Sequence, residues 1–312
     1  FFKVKLVTTS QYGCMDSLTL SIEVYPKPYP SYTTNDSDQC LRYNNFQFTN
    51  SSKVKYGTIT KNSWKYSDGK SQSSVNGNNK YPNFNTHFAQ LITTTNYGCI
   101  DSIKKTMIVW PMPVSKYAVK DSAQCYRTNA FTLTPKSTIN YGSMTYMTTW
   151  GDTIQAATPV LNHVYPSYGT YKLAFVTTSN NQCIDTFFNQ TVVHPMPKAK
   201  FTINDTAQCI NNQNFVFTDI STIALGSNAR RWIFSGINNF ASPTTFNFSP
   251  DTNHLITLIE TSNKGCLDTA LRIITVHSKP TPNFTLNDSA QCLRQNNYIF
   301  SNTSGIRKGT LT

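Results

Sequence analysis

Eight cysteines alternate along the chain with a beat that leaves little freedom in how it can fold. They are Cys14, Cys40, Cys99, Cys125, Cys183, Cys209, Cys266 and Cys292. The gaps read 26, 59, 26, 58, 26, 57 and 26, so one module is about 84 residues long. A fixed period of this size marks a tandem array, in which each repeat is one structural unit. A residue found in every copy is then scaffold, whereas a catalytic centre would occur once.

The period divides the sequence into residues 1–27, 28–112, 113–196, 197–280 and 281–312. The middle three read as complete modules, the first as the C-terminal part of one and the last as the N-terminal part of another. Phe2, Val4 and Leu6 read as a strand already under way, and the Phe300–Ser304 stretch leads on to a Trp in earlier copies. On this reading the sequence is an excerpt of a longer protein, with any leader or anchor outside it. No apolar run approaches the ~20 residues that a membrane-spanning helix needs.

Charged residues make up only 13% of the chain, so the surface must be largely neutral and polar. The net charge of +12 comes from dispersed lysines and arginines, with Lys104-Lys105 and Arg230-Arg231 the densest pairs. Nucleic-acid binding wants a basic cluster on a recognisable motif, and neither is visible. A diffuse basic surface is compatible with weak attraction to acidic polysaccharide. The cysteines form no CxxC pairs, and none of the five histidines stands near them at zinc-ligand spacing. Regular cysteines of this kind point to disulfides and an oxidising, extracellular setting.

The stretch 197–280 serves as a specimen. Phe201-Thr-Ile203 and Phe215-Val-Phe217 alternate apolar and polar residues, which points every second side chain into a core. Arg231-Trp232-Ile233-Phe234 and Leu255–Ile259 read as buried strands, and Leu271, Ile273 and Val276 form the last one. No useful helical periodicity appears. Short strands between Gly, Asn, Ser and Pro turns predict an all-β fold, a tandem array of small antiparallel sandwiches. The other copies repeat the plan: Phe46-Gln-Phe48, Phe131-Thr-Leu133 and Tyr298-Ile-Phe300 for one strand, Trp64 and Trp150 for the central Trp232. The last hairpin turn reads Gln11-Tyr-Gly13, Asn96-Tyr-Gly98, Asn180-Asn-Gln182 and Asn263-Lys-Gly265. Gly suits a positive φ there, and in the Gln182 copy Asn181 is expected to supply it.

Trp64-Lys-Tyr-Ser-Asp-Gly69, and above all Trp150-Gly-Asp152 with Asn162-His-Val-Tyr165 and Gly169-Thr-Tyr171-Lys-Leu173, resemble the polycystic-kidney-disease (PKD) domain. That family is an immunoglobulin-like sandwich. The resemblance covers the three complete modules; the first lacks the His-x-x-Tyr segment and the third, Trp232–Gly236, lacks the Asp. The Gln-Cys and Gly-Cys-x-Asp signatures resemble repeats in giant cell-surface proteins of the Bacteroidetes. The resemblance implies export by the type IX system and, for some members, a role as adhesins in gliding motility.

The disulfide pairing stays open. Each 26-residue gap is centred on a proline joint (Pro26-Lys-Pro28, Pro111-Met-Pro113, Pro195-Met-Pro197, Lys279-Pro280), whose extended backbone holds the flanking cysteines apart. Pairing within modules would join Cys40 to Cys99, Cys125 to Cys183 and Cys209 to Cys266. In an immunoglobulin-like topology those two positions lie at opposite ends of the sandwich. Bonding one module's Gln-Cys to the next module's Gly-Cys, as Cys40 to Cys183 and Cys125 to Cys266, avoids that objection. Free or mixed thiols are the third alternative.

Enzyme signatures are absent: there is no phosphate loop, no Gly-x-Ser-x-Gly elbow and no His-Glu-x-x-His. No catalytic residue, cofactor or metal centre is expected. Asp68 and Asp152 could contribute at most to a weak calcium site, and turn capping is the alternative role. His163 is expected to pack structurally. Asp followed by Ser or Thr and then an aliphatic residue or Ala recurs, placing hydroxyls at Ser17, Ser102, Ser122, Thr153, Thr206, Thr269 and Ser289. This resembles the O-glycosylation sequon of Bacteroidetes exported proteins. Asn35, Asn204 and Asn287 head Asn-x-Ser/Thr sequons, relevant only in a host with N-glycosylation.

The reading that results is structural: a stalk or shaft segment of a large secreted surface adhesin or filament. Its partners would be neighbouring modules, other copies in a filament, and polysaccharide or an abiotic surface. The rival is a carbohydrate- or surface-binding module of a secreted enzyme, which would need aromatics gathered on one exposed face. The 26-residue gap never changes, while the longer gap drifts where Gly57, Gly142 and Gly226 lead up to the Trp. The joint is therefore expected to be tightly specified and those loops free to vary.

Overall fold

The structure, a computed structural model, describes residues 1–152 and 161–312. It is built from β-strands and, among the described residues, its only helical pieces are the 3-10 turns Leu41–Tyr43 and Tyr126–Thr128. The chain divides into two compact units, one of residues 1–118, 134–160 and 174–188, the other of 119–133, 161–173 and 189–312.

In the first unit the stretch after Tyr29 forms an immunoglobulin-like sandwich. One sheet has three strands, ordered Tyr32–Thr34, Phe46–Asn50, Gly77–Asn79. The facing sheet has five, ordered Asp38–Cys40, Ile100–Trp110, Asn85–Thr95, Ile59–Tyr66, Ser71–Gln72. Alternation decides what lies between them. Phe46 and Phe48 turn inward while Gln47 faces out, and Ala89 and Leu91 do the same on the opposite sheet. Trp64, paired across the ladder with Leu91, is fully buried and meets Tyr32 edge-on at 5.0 Å. The Tyr32 hydroxyl donates to Ala89 O at 2.7 Å, and burial pushes its pKa up to about 12. The same unit holds an exposed hairpin, Phe2–Thr9 with Met15–Ile22, and the pairing of Met144–Thr149 with residues 174–179.

The second unit repeats the sandwich with the same strand order. Three strands run Phe201–Ile203, Phe215–Asp219, Thr244–Phe246; five run Ala207–Cys209, Leu267–His277, Asn253–Ser262, Asn228–Phe234, Ile237–Asn239. Trp232 fills the centre against Phe201 and Phe217, with Leu258 opposite it in the ladder. Residues 123–125 lie parallel to 192–194, and Phe131 pairs with His163. His163 packs edge-on against Tyr165 at 4.6 Å, the structural role expected of it.

One strand sets the geometry of the cysteines. The short segment ending in Gln-Cys runs parallel to the end of the module's last strand, with Cys40 beside Trp110, Cys125 beside His194 and Cys209 beside His277. The hairpin cysteine stands at the other end of that strand. Ile100–Trp110 has 11 residues, so Cys40 and Cys99 are separated by ~35 Å of extended chain. Disulfides need Cα atoms within about 7 Å, and pairing within the module is thereby ruled out.

Candidate functional site

The feature that recurs with specific chemistry is a clasp made of a disulfide and an ion pair. Cys40 bonds to Cys183 and Cys125 bonds to Cys266, each with Cα atoms 5.5 Å apart and with sequence separations of 143 and 141. Each bond joins the Gln-Cys of one module to the hairpin cysteine of the next. The alternative within modules is not formed, and Cys14, Cys99, Cys209 and Cys292 are unpaired.

Two residues past each bonded cysteine stands a charge. Arg42, in the 3-10 turn that follows Cys40, reaches Asp185 at 2.8 Å. Arg127, in the matching turn, reaches Asp268 at 2.9 Å. The second oxygen of each carboxylate accepts a backbone N–H, from Ser115 at 2.8 Å and from Ala199 at 2.9 Å. Burial pushes both carboxyls up, but the backbone donors and the guanidinium outweigh it and hold them below the ordinary carboxylate value. The two carboxylates are largely buried, whereas Arg42 and Arg127 remain substantially exposed.

Local sequence builds each half. On the hairpin side a Ser or Thr four residues earlier caps the cysteine N–H: Ser179 and Ser262 at 3.0 Å, Thr95 at 3.1 Å, Ser10 at 3.2 Å. The residue before the cysteine has positive φ, Gly98 at 78° and Gly265 at 81°. Where Gly is replaced, Gln182 itself takes φ 62°, not Asn181; the hydrogen-bonded turn fixes the position, whatever residue occupies it. On the other side the Gln of Gln-Cys accepts the N–H six residues on, from Asn45 to Gln39, Ala130 to Gln124 and Asn214 to Gln208, at 2.6, 2.7 and 2.5 Å. That bond shapes the turn that presents the Arg. Sequence reading noticed the repeated Gln-Cys but assigned its Gln no role, because a side chain tied to a backbone six residues away has no periodic signature.

The loops before the Trp are also less free than their length drift suggests. Asn96 accepts Thr58 N–H at 2.9 Å and Asn180 accepts Ser143 N–H at 3.1 Å. A Cβ on Gly226 would stand 2.6 Å from Asn263 Oδ1, and one on Gly57 would stand 2.7 Å from Asn96 Oδ1. From the Gln-Cys cysteine to this glycine the count is 17 residues in each copy, so the length drift falls downstream of the glycine.

The remaining candidates sort by contact. Asp68 holds Lys70 at 2.9 Å and Asn79 at 3.1 Å and closes a turn, the capping role. Among the described residues no group of three or more His, Cys, Asp or Glu side chains is arranged to hold a metal. Ser17, Ser102, Ser122, Thr206, Thr269 and Ser289 are all exposed, whereas Thr153 lies outside the described residues. The amides of Asn35, Asn204 and Asn287 are each engaged with backbone groups across a turn. In the second unit Tyr126, Tyr168, Arg127 and Met196 line a groove of about 490 Å³. There the Tyr126 hydroxyl donates to Pro166 O at 3.0 Å.

No protein-family model matches the chain, and no curated protein matches it. Among solved structures it is similar to Drosophila N-cadherin EC1-4, with a TM-score of 0.31 and 10% identity, covering 88% of this chain and 83% of that one. The fibronectin(III)-like modules of Clostridium thermocellum CbhA give 0.30 and 16%, covering 53% of this chain and 94% of theirs. A structure from a 1.5-MDa bacterial ice-binding adhesin gives 0.29 and 8%, covering 82% and 99%.

Proposed function

We propose that the chain is a structural segment of a large secreted surface protein, a spacer of PKD-like sandwiches that carries a binding tip away from the cell. The observation that carries this reading is the clasp. Its two occurrences place disulfide and ion-pair chemistry where one copy of the repeat joins the next. Disulfides in an oxidising compartment support an extracellular location. The Gln-Cys and Gly-Cys-x-Asp resemblance supports the finer reading, a type IX-exported adhesin of the kind used in surface adhesion or gliding. Exposure of the six described Asp-Ser/Thr hydroxyls supports O-glycosylation of such a protein.

One observation favours the alternative, a carbohydrate-binding accessory module: Tyr126 and Tyr168 are both exposed at the same groove. The two readings separate on a glycan microarray probed with the purified chain. The spacer predicts no saturable binding. Binding to a defined polysaccharide that is lost in Tyr126→Ala and Tyr168→Ala would replace it with the alternative. Intact mass of the protein from its native host tests glycosylation, and the bare polypeptide mass would exclude it.

A further inference from the structure

Of the four unpaired cysteines, Cys14 and Cys99 hold the hairpin position of the clasp, and Cys209 and Cys292 hold the Gln-Cys position. Cys99 has the capped hairpin of Cys183 and Cys266 and an acidic residue, Asp101, two positions on, although Pro30 stands where Ser115 and Ala199 donate to the other two carboxylates. It also has the neighbour that those hairpins have. Asn181 and Gln182, just before Cys183, line one hollow with Trp110, at the end of the strand that the Gln-Cys segment joins. The Cys99 Sγ approaches the carbonyl of Tyr25, the residue at the matching point of the first hairpin, at 3.7 Å, and Tyr97 stacks on Tyr25 at 3.8 Å.

The strand leading to Tyr25 differs from its counterparts at its end. Met15–Ile22 is 8 residues long, against 11 for its counterparts Ile100–Trp110, Ile184–His194 and Leu267–His277. The three residues by which it falls short are Glu23, Val24 and Tyr25, the ones that in each other copy pair in parallel with the Gln-Cys segment. Val24 is 58% exposed, whereas its counterparts Val109, Val193 and Val276 are at 2% or less. An unpaired edge, a thiol and a carboxylate thus converge on one surface. The complementary half is equally plain in Gln291-Cys292-Leu293-Arg294. Gln291 already holds residue 297 as its counterparts do, yet residues 290–292 are not in a strand.

We infer that the surface formed by residues 23–25, Cys99 and Asp101 is a docking site for a Gln-Cys-x-Arg segment from another module of this repeat. The segment adds as a parallel strand along 23–25, its cysteine bonds Cys99, and its Arg pairs with Asp101. The inference stands on the two clasps already formed and holds whatever the array carries. Bond formation is thiol–disulfide exchange. One thiolate attacks the sulfur of a glutathione mixed disulfide on the other cysteine and expels glutathione thiolate. Overall one glutathione disulfide is reduced to two glutathiones, which take up the two thiol protons. Cys209 is followed by Ile210-Asn211, so it offers the thiol without the charge.

The test uses the whole chain in two forms. An acceptor form carries Cys14→Ser, Cys209→Ser and Cys292→Ser, leaving Cys99; a donor form carries Cys14→Ser, Cys99→Ser and Cys209→Ser, leaving Cys292. Equal amounts are mixed in a glutathione redox buffer, and dimers are read by non-reducing electrophoresis and peptide mapping. Mapping of Cys40–Cys183 and Cys125–Cys266 confirms that each form is folded. The ratio of the Cys99–Cys292 heterodimer to the geometric mean of the two homodimers should exceed its statistical value by about fivefold, the worth of one exposed ion pair at its upper range. Asp101→Arg in the acceptor should remove the excess, and Arg294→Asp in the donor should restore it. A statistical mixture of dimers, or an excess unchanged by Asp101→Arg, would overturn the inference.

Discussion

Arg42 and Asp185 stand 2.8 Å apart, each two residues beyond a cysteine of the same disulfide. The spacing matters because successive residues point to opposite faces of extended chain, so cysteine and charge emerge on the same side in the hairpin strand. The covalent bond and the ion pair are therefore parallel connections across one seam, and Arg127 with Asp268 repeats them.

The two partners of this ion pair should not be equivalent under mutation. Arg42→Ala removes a largely exposed charge, and the expected loss is about 0.5 kcal/mol. Asp185→Ala also strands the Ser115 N–H, with an expected loss of about 2 kcal/mol. Urea unfolding of both single mutants and the double mutant checks this. Equal losses would mean that the Ser115 contact contributes nothing.

Removing a disulfide should cost far more than removing its ion pair. Replacing Cys40 and Cys183 together by Ser opens a loop of 143 residues. The chain-entropy model then gives a loss of about 5 kcal/mol. The comparison is the shift in urea midpoint against the parent protein, with both samples kept free of reductant.

Two glycines with similar backbone angles should respond differently to Ala. Gly226 has φ 90° and its Cβ would strike Asn263, whereas Gly265 has φ 81° and open space around it. Gly265→Ala should cost only the left-handed penalty, about 1 kcal/mol, since Gln182 already occupies the matching place at φ 62°. Gly226→Ala adds a steric clash and should cost about 2–3 kcal/mol. Thermal unfolding of the two variants side by side decides it.

Glu260 should give the chain an unusual pH response. It is fully buried, Asn228 donates to one carboxyl oxygen, and the other has no hydrogen-bond partner. Burial raises its pKa above 4.5, and the Asn228 bond only partly offsets this. A raised acid favours its neutral form when folded, so its contribution is intact below pH 4.5 and is lost as pH rises through the folded value. Asp185 and Asp268 act in the opposite sense, losing their contribution as pH falls below 3.8. Stability should therefore peak in mild acid, and Glu260→Gln should flatten the decline on the alkaline side. A melting temperature profile from pH ~3 to ~8 reads both limbs.

What was legible in the sequence was what repeats and alternates. Phe46, Phe48, Trp64, Trp232 and Leu258 sit in the core because period-two patterning determines which side chains are enclosed. The hairpin cysteines were visible for the same reason. Their partners were narrowed to alternatives that included the observed pairing but were not chosen, because the choice depends on a three-residue strand, Asp38–Cys40, too short to show any period. Arg42 looked like one more dispersed surface charge, since its partner lies in another copy of the repeat. Gln182 defied the glycine rule because the Ser179-to-Cys183 turn imposes its backbone angle regardless of residue type.

Cys40–Cys183 and Cys125–Cys266 enclose overlapping stretches of the chain. Any single peptide bond broken between residues 40 and 266 falls inside at least one of these covalent rings. A protease that cuts there once makes a wound but no fragment, and the two ends of the array stay attached through sulfur until a reductant arrives.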